Sequence, residues 1–360
     1  MKYIGRFLGW ILLGINVVIA GLLLLSAYSP YIQPQEHPLL SCIGLAFPIF
    51  WCANFLFLLF WLVVYRKYTL FPILVIVACW GTLRTYFPIN LFEEEKPENS
   101  IKFLSYNTMA FALGEKHTKE SPNRVLAYLA ASDADIICIQ ECIWMSRMKQ
   151  KEADYALRNY KYKHYYSFAS GFNGLACYSR YPILSAIPIK YKDSRNGSIV
   201  YRIAVGKDTL TVFNNHLESN KIEASEKAIY QEMIDTPNKE NIASGSRMLL
   251  KKLTEASAIR ASQADSLVSY IKELQGEKVV VCGDFNDSPV SYAHRVVGQY
   301  LQDAFAQSGN GLGISYHENR FYFRIDHVFL SKNMKSYECT VDRSVKASDH
   351  YPIWCYISLE

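Results

Sequence analysis

Hydrophobic residues follow two different patterns in the two parts of the chain. Three long and almost uncharged stretches come first, at residues 7–28, 39–65 and 70–87. From Ile101 onward the apolar runs shorten to strand length and alternate with segments of helical spacing. This pattern predicts an N-terminal bundle of about three transmembrane helices followed by an α/β domain. The acidic linker Glu93–Pro97 divides the chain into two predicted domains, residues 1–97 and residues 98–360.

The three apolar stretches differ in how well they fit a bilayer. Residues 7–28 and 39–65 contain no charged side chain and, at about 1.5 Å per residue, are long enough to cross the hydrocarbon core. The third stretch, residues 70–87, is shorter than the other two and includes Arg84, so it fits the bilayer least well. A cleaved signal peptide is the alternative for the first stretch, because Lys2 and Arg6 precede it, but two further segments follow. We therefore expect a multi-pass integral membrane protein that contacts the bilayer through residues 1–90.

The loop charges predict an orientation. Lys2 and Arg6 precede the first span, and Arg66 and Lys67 lie between the second and the third. The intervening loop, residues 29–38, has no Lys or Arg. The positive-inside rule then places the N-terminus in the cytoplasm and, with three crossings, the second domain outside it. If residues 70–87 do not cross, that domain is cytoplasmic instead.

Charge and cysteine content give no signal for a nucleic-acid partner, a zinc site or a disulfide framework. Residues 101–360 hold 32 of the 38 Lys and Arg residues and 28 of the 33 Asp and Glu residues, a net charge of +4 that does not by itself require a nucleic-acid partner. The nine cysteines have no paired CxxC spacing, so neither a zinc site nor a disulfide framework is predicted. Buried free thiols are the expectation.

The second domain is predicted to contain short strands, one early helix and one helical insertion. Ser121 is the expected N-cap of the helix, with Pro122 at its first position. The predicted helices cover residues 121–132 and an insertion at 220–275, and the predicted strands cover 101–107, 135–141, 174–180, 199–205, 209–215, 279–282, 323–330 and 353–357.

Polar side chains recur where these strands end. Asp284 and Asn286 follow the run Val279–Cys282 and, if that segment is extended, point to the same side. An Asx-type turn is the simpler explanation of these two residues alone. Asp326 differs, because an acid placed inside an apolar run needs a partner, and His350 is a natural one. The full set of strand-end residues is Asn107, Glu141, His216, Asp284, Asn286, Asp326, Asp349 and His350.

These residues, in this order, resemble the motifs of the endonuclease/exonuclease/phosphatase superfamily. The resemblance covers about residues 100–360 and rests on Asn107, Ile139-Gln-Glu141, Asn215-His216-Leu, Gly283-Asp-Phe-Asn286, Arg324-Ile-Asp326-His and Ser348-Asp-His350. It implies a four-layer α/β sandwich with two mixed β-sheets and a site at their common edge. The membrane segments lie outside the resemblance, and the charged insertion after His216 departs from the common core.

The resemblance also implies a mechanism. Asn107 and Glu141, with Asp349, would hold Mg²⁺ or Mn²⁺, which oxygen ligands prefer. Asp284 would orient or deprotonate the attacking water, and Asn286 would donate to the phosphate. Asp326 would orient His350 against the phosphate. His216 would stabilise the transition state or protonate the leaving oxygen.

The function expected from these observations is a membrane-anchored, metal-dependent phosphodiesterase acting on nucleic acid or a phospholipid headgroup. The alternatives are a phosphomonoesterase of the same superfamily and a catalytically silent membrane protein that binds phosphorylated ligands. No obligate protein partner is inferred.

Overall fold

The computed structural model describes residues 2–92, 94–118, 120–146, 148–168, 171, 173–192, 194–222, 224–318 and 320–359. Glu93 of the predicted linker lies outside the described residues. So do the side chains of Lys2 and Arg6, on which part of the predicted orientation rests.

The N-terminal part is helical and apolar, as expected. Two units, Phe7–Tyr31 and Pro38–Val64, are long and apolar enough to cross a membrane, and a bent third unit makes up to three. The helices are α1 (Lys2–Tyr28), α2 (Pro38–Ser41), α3 (Phe47–Val64), α4 (Leu70–Ala78) and α5 (Trp80–Tyr86), with 3₁₀ turns at Ser29–Tyr31, Cys42–Ala46 and Arg66–Tyr68.

Two of the predicted spans are not single straight helices. In the second, residues 38–46 form short turns, and α3 begins at Phe47 with a proline in its first turn, where the missing N–H has no helical partner to lose. In the third, α4 and α5 meet at an angle of 59°. Cys79 closes α4 through hydrogen bonds to Val75 and Ile76, and Gly81, a poor helix former, lies in the first turn of α5.

In the part of the chain that the structure describes, twelve strands form two six-stranded mixed sheets. The first sheet has the order β11-β12-β1-β2-β4-β3, and the second has the order β5-β6-β7-β8-β10-β9. Two neighbouring pairs are parallel, β1 with β2 and β7 with β8. The strands are β1 (Ile101–Asn107), β2 (Ile136–Gln140), β3 (Tyr162–Phe168), β4 (Asn173–Ser179), β5 (Ile183–Lys190), β6 (Gly197–Val205), β7 (Asp208–His216), β8 (Lys278–Asp284), β9 (Leu301–Asp303), β10 (Asp326–Ser331), β11 (Lys335–Val341) and β12 (Ile353–Ser358).

The sheets face each other and carry helices on their outer sides. One hydrophobic cluster fills the space between the sheets and includes Phe103, Cys138, Tyr201 and Cys282. A second covers the outer face of the first sheet, and a third covers the outer face of the second. The four-layer α/β sandwich is therefore confirmed. The helices of this part are α6 (Met109–Gly114), α7 (Arg124–Ala131), α8 (Gln150–Ala156), α9 (Ala224–Asp235), α10 (Lys239–Glu273), α11 (Tyr292–Gly298) and α12 (Ala304–Ser308).

Three local expectations were wrong. Helix α7 begins at Arg124, and its N-cap is Asn123, not Ser121, because the Asn123 side chain accepts from the Leu126 amide. Asp326 is the first residue of β10 and not an interior one. Asn286 is not extended, since its φ is +51°.

The predicted insertion is confirmed as two helices, α9 and the long α10. The ring of Tyr230 in α9 stacks on Phe321 with centroids 4.4 Å apart, and Arg320 pairs with Asp235 at 3.2 Å. The nine cysteines are free thiols, and all but Cys42 and Cys52 are buried.

Candidate active site

The topology brings the predicted site residues to one edge of the sandwich. The carboxyl ends of the parallel strands β1, β2, β7 and β8 deliver Asn107, Glu141, His216 and Asp284 to this edge. Because β10 runs antiparallel to β8, its first residue, Asp326, pairs directly with Asp284. Sequence reasoning found these residues one strand at a time, and the parallel pairs explain why they converge.

Asn107 joins the two acids at the centre of the site. Its Nδ2 donates to Oε1 of Glu141 at 3.2 Å and to Oδ2 of Asp284 at 2.9 Å, while its Oδ1 accepts from the Met109 amide at 3.1 Å. The amide nitrogen, rather than the oxygen, therefore faces the carboxylates. In this arrangement Asn107 fixes the relative position of two acids that come from different sheets.

His350 and Asp326 form a buried pair. Nδ1 of His350 lies 2.8 Å from Oδ2 of Asp326, as the sequence predicted, and its Nε2 lies 3.7 Å from Oδ2 of Asp284. Burial favours the neutral ring, but the charges of Asp326 and Asp284 outweigh it and raise the pKa of His350 well above its ordinary value. The two carboxylates therefore favour the charged imidazolium form of His350.

Asp284 is almost completely buried and has an unusual pKa. Burial raises the pKa of its carboxyl group to about 6, even though His350, His216 and the Asn286 amide favour the charged form. The Asn286 N–H donates to Oδ1 of Asp284 at 2.8 Å. A carboxylate with a pKa near neutrality is well suited to accept a proton at physiological pH.

The loop after Asp284 needs two unusual backbone conformations. Gly283 has φ +125°, and a Cβ there would lie 2.0 Å from the carbonyl oxygen of Asn215, so only glycine fits between β7 and β8. Asn286 has a left-handed backbone, and its Nδ2 donates to the Leu217 carbonyl at 3.1 Å. The loop is thereby attached to the residue that follows His216.

His216 lies opposite His350 and is held by a residue that sequence reasoning missed. Nε2 of His216 is 3.7 Å from Asp284 and 3.9 Å from Glu141. Burial lowers the pKa of His216, so the ring is neutral. Its Nδ1 accepts from Nδ2 of Asn173 at 2.9 Å.

Asn173 thereby sets the tautomer of His216. The Oδ1 of Asn173 accepts from the Gly174 amide at 2.8 Å, so its nitrogen must be the atom that faces the ring. The proton of the neutral imidazole then sits on Nε2 and points at the two carboxylates. The sequence signal for Asn173 was its position immediately before the predicted strand 174–180.

Glu141 and Asp349 are the acids best exposed to a metal ion. The side chain of Glu141 is one-third exposed, and burial followed by the charge of Asp349 raises its pKa. Asp349 is partly buried, and its Oδ1 accepts from Ser348. Divalent cations favour clustered carboxylates of this kind, whose mutual repulsion they relieve.

Geometry also selects a tighter cluster. Within the described residues, two groups of candidate ligand atoms each lie within 4.8 Å of one another: Asp284, Asp326 and His350 in this site, and His294, Asp303 and His327 outside it. Oδ1 of Asp326 is buried and has no hydrogen-bond partner in the part of the chain that the structure describes. An orphaned carboxylate oxygen beside Glu141 and Asp284 fits the binding of a cation or a polar substrate group.

Fold and site together define a hydrolase of phosphoester bonds. The family model for the endonuclease/exonuclease/phosphatase family matches residues 104–350, and the chain belongs to that family. A second family model, for a domain of unknown function, matches residues 9–86.

Two curated proteins are similar to this chain. The inositol phosphosphingolipids phospholipase C of Schizosaccharomyces pombe is 25% identical over 211 residues, which are 58% of this chain and 45% of that protein. The exodeoxyribonuclease of Bacillus subtilis is 24% identical over 267 residues, covering 65% of this chain and 92% of that protein. The chain thus spans less than half of the length of the yeast relative.

Solved structures share the fold. A humanized D. rerio TDP2 superposes with a TM-score of 0.50 at 15% identity, covering 72% of this chain and 100% of that chain. The human Nocturnin catalytic domain, with a bound sulfate anion, gives 0.50 at 15% identity over 74% of this chain and 99% of that one. An endonuclease/exonuclease/phosphatase from Bacteroides vulgatus gives 0.50 at 17% identity, covering 72% of this chain and 99% of that chain.

Proposed function

We propose that the protein is a membrane-anchored phosphodiesterase that uses a divalent metal ion and an activated water. The observation that carries the proposal is the grouping of Asp284, His216 and His350 around one point. Asp284 lies 3.7 Å from a ring nitrogen of each histidine. Attack of water on a phosphodiester requires a base for the water and hydrogen-bond donors for the phosphate and the leaving oxygen. Asp284 is the proposed base, and the two histidines are the proposed donors.

The residues divide the chemistry between them. The carboxylate of Asp284 takes a proton from the water as the water oxygen bonds to phosphorus. The Nε2–H of neutral His216 hydrogen-bonds the charge that develops on a phosphate oxygen, and Asn286 has a second amide hydrogen for the same purpose. As the phosphorus–oxygen bond to the leaving group breaks, the leaving oxygen takes a proton from the imidazolium of His350. Asp326 orients that ring and stabilises its charge.

The ion is proposed to bind to Glu141 with Asp349. Bound there, Mg²⁺ or Mn²⁺ supplies charge neutralisation of the scissile phosphate. Asn107 positions Glu141, because its side-chain nitrogen donates to that carboxylate. Burial and, second, the charge of Asp349 raise the pKa of Glu141, as expected of a carboxyl group beside another acid before a cation neutralises both.

The contacts of the helical bundle support three crossings. The loop between α1 and α3 contacts the catalytic part, residues 98–360, because Nε of Arg295 donates to the Pro30 carbonyl at 2.7 Å. The chain after α5 touches it too, since the Asn90 amide donates to Asn310 at 2.7 Å. Both segments therefore lie on the side of the catalytic part, and α4 with α5 has to return the chain across the bilayer. With Arg66 and Lys67 at the opposite end, the positive-inside rule supports an extracytoplasmic site.

The substrate is proposed to be a phosphodiester of the facing leaflet. Val290, only four residues after Asn286, is buried among bundle residues that include Leu23 and Phe47. The loop that carries the proposed base is therefore attached to the bundle, close to the membrane surface. A lipid headgroup reaches such a site by diffusion in the plane of the membrane.

The test is hydrolysis by the full-length protein in lipid nanodiscs with Mg²⁺. The substrates are sphingomyelin and phosphatidylinositol in vesicles, single-stranded DNA, and the generic diester bis(p-nitrophenyl) phosphate. We expect turnover of the generic diester and faster turnover of a lipid than of DNA. Faster turnover of DNA would contradict the lipid substrate, and no turnover of any diester would contradict the function.

A further inference from the structure

One residue of the catalytic part, Val290, lies in the hydrophobic core of the helical bundle. It lies at the end of the bundle that faces the catalytic part. Val290 is 2% exposed and packs in a cluster with Ala20, Leu23, Ala27, Phe47, Val75 and Cys79. Among the described residues, Val290 is the one member of this cluster from beyond residue 100. The loop that carries Asp284 and Asn286 is therefore seated in the bundle.

Gly44 allows Val290 to pack this closely against the bundle. A methyl group at position 44 would lie 2.3 Å from the carbonyl oxygen of Val290 and 2.6 Å from Oγ of Ser29. Real Cβ atoms do not approach backbone oxygens so closely, so any larger residue has to push the loops apart. The backbone of Gly44 does not have positive φ, and close approach is the reason for glycine here.

A second contact attaches the neighbouring strand. Arg324 is buried, and its guanidinium donates to the Thr85 carbonyl in the last turn of α5, where backbone carbonyls have no helical partner. Two residues later comes Asp326, which holds His350. Nε2 of His327 lies 2.9 Å from the Asp287 carbonyl and ties the strand to the loop. Asp284 and Asp326 thus both stand on segments that contact the bundle.

We propose that the bundle is part of the active-site scaffold, with Gly44 and Val290 as positioning residues for the loop Asp284–Val290. The inference rests on the function proposed for the same site. Asn286 transmits the position of the loop, because its N–H bonds the Asp284 carboxylate and its side chain bonds Leu217. A displacement of about 1 Å at the reacting groups can cost about 100-fold in rate.

The first test compares Gly44→Ala with Gly21→Ala in full-length protein in nanodiscs. Gly21 lies in α1, and a methyl group there meets nothing within 4 Å. With bis(p-nitrophenyl) phosphate, we expect kcat of Gly44→Ala to fall at least about tenfold while KM changes less than about twofold, because binding groups remain but the base is displaced. Gly21→Ala should match the wild type. A folded Gly44→Ala protein with wild-type kcat would overturn the inference.

The second test removes the contact without creating a clash and decides the case if Gly44→Ala does not fold. Val290→Ala is compared with Val125→Ala, a fully buried valine of α7 that packs on the outer face of the first sheet and not in the bundle. Both lose the same atoms, but only Val290→Ala should lower kcat and speed hydrogen exchange in the peptide 284–291. Equal effects of the two variants would overturn the inference. Wild-type inactivity on every diester would contradict the proposed function, while the exchange comparison would still decide this one.

Discussion

The side-chain amide of Asn173 donates a 2.9 Å hydrogen bond to Nδ1 of His216. Asn173 opens β4 in the first sheet, and His216 ends β7 in the second. The bond therefore crosses between the sheets and fixes the Nε2–H of His216 toward Asp284 and Glu141. An asparagine with no role in the chemistry itself thus determines which nitrogen of the histidine can donate.

Asn173→Leu should lower kcat by about tenfold or more, since His216 can then adopt the tautomer that points a lone pair at the carboxylates. KM for a generic diester should change little. Asn196→Leu is the control, because Asn196 bonds Asn173 and the Leu217 carbonyl but not His216. Equal losses in both variants would show that Asn173 matters only for the local fold.

Metal removal should abolish activity, and Glu141→Gln should reproduce most of that loss at saturating Mg²⁺. The glutamine keeps the hydrogen bond from Asn107 but lacks the charge that holds a cation. Turnover is measured with EDTA and then with excess Mg²⁺ or Mn²⁺. Glu255→Gln, on the exposed side of α10, is the control and should remain fully active. Full activity in EDTA would rule out the metal.

Asp303→Asn should destabilise the protein by about 3–5 kcal/mol, because it removes the charge partner of a buried histidine and arginine. Oδ2 of Asp303 lies 3.1 Å from Nε2 of His294 and 3.9 Å from the Arg324 guanidinium. Despite burial, the His294 hydrogen bond and the Arg324 charge hold the pKa of Asp303 below its usual value. The charged Asp303 therefore stabilises the fold fully above the pKa of an unfolded aspartate. This stabilisation is lost as pH falls through the lower pKa of Asp303 in the folded protein.

The loss of stability is measured by thermal unfolding of wild type, Asp303→Asn and a control variant at neutral pH. Asp133→Asn is the control, since Asp133 is highly exposed where it pairs with Arg180, and such pairs contribute little. Equal melting temperatures for wild type and Asp303→Asn would contradict the buried network.

Membrane orientation has a direct test. A reporter active only in the cytoplasm and a reporter active only outside it are fused separately to the C-terminus. Three crossings with Arg66 and Lys67 inside predict a signal from the outside reporter alone. A cytoplasmic signal would mean that α4 and α5 do not cross together, and outer-leaflet substrates would be excluded.

Sequence patterns predicted the fold where local and global signals agree. The strand ending at Asn107 and the hairpin of β6 and β7 were recovered because apolar runs end in polar residues or a glycine turn. The strands β3, β5, β9 and β11 were not predicted, and β9, with three residues, is too short to carry a periodicity. The bend between α4 and α5 was not predicted either, although Gly81, Thr82 and Arg84 make the second half of this stretch less apolar than the first.

The acidic and histidine members of the site were accessible for a different reason. Each ends or begins a strand, and strand ends are readable one at a time. Asn173 was not found, because its role depends on the distance between two sheets. The seat of Val290 in the bundle was likewise hidden, since nothing in the sequence Asp287–Ser291 distinguishes a residue packed on helices from one in an ordinary loop.

The account depends most directly on Asp284 as the base. The measurement is kcat and KM of wild type and Asp284→Asn for bis(p-nitrophenyl) phosphate with Mg²⁺ between about pH 5 and pH 9. Burial raises the pKa of Asp284 to about 6, so wild-type kcat should fall as pH drops through this value and the carboxylate takes up a proton. Asp284→Asn should lose about 100-fold or more in kcat above about pH 7, where the wild-type carboxylate is charged, with KM nearly unchanged. The difference between the two proteins should shrink as pH falls below about 6. A variant that keeps its kcat, or that loses only affinity, would contradict the account.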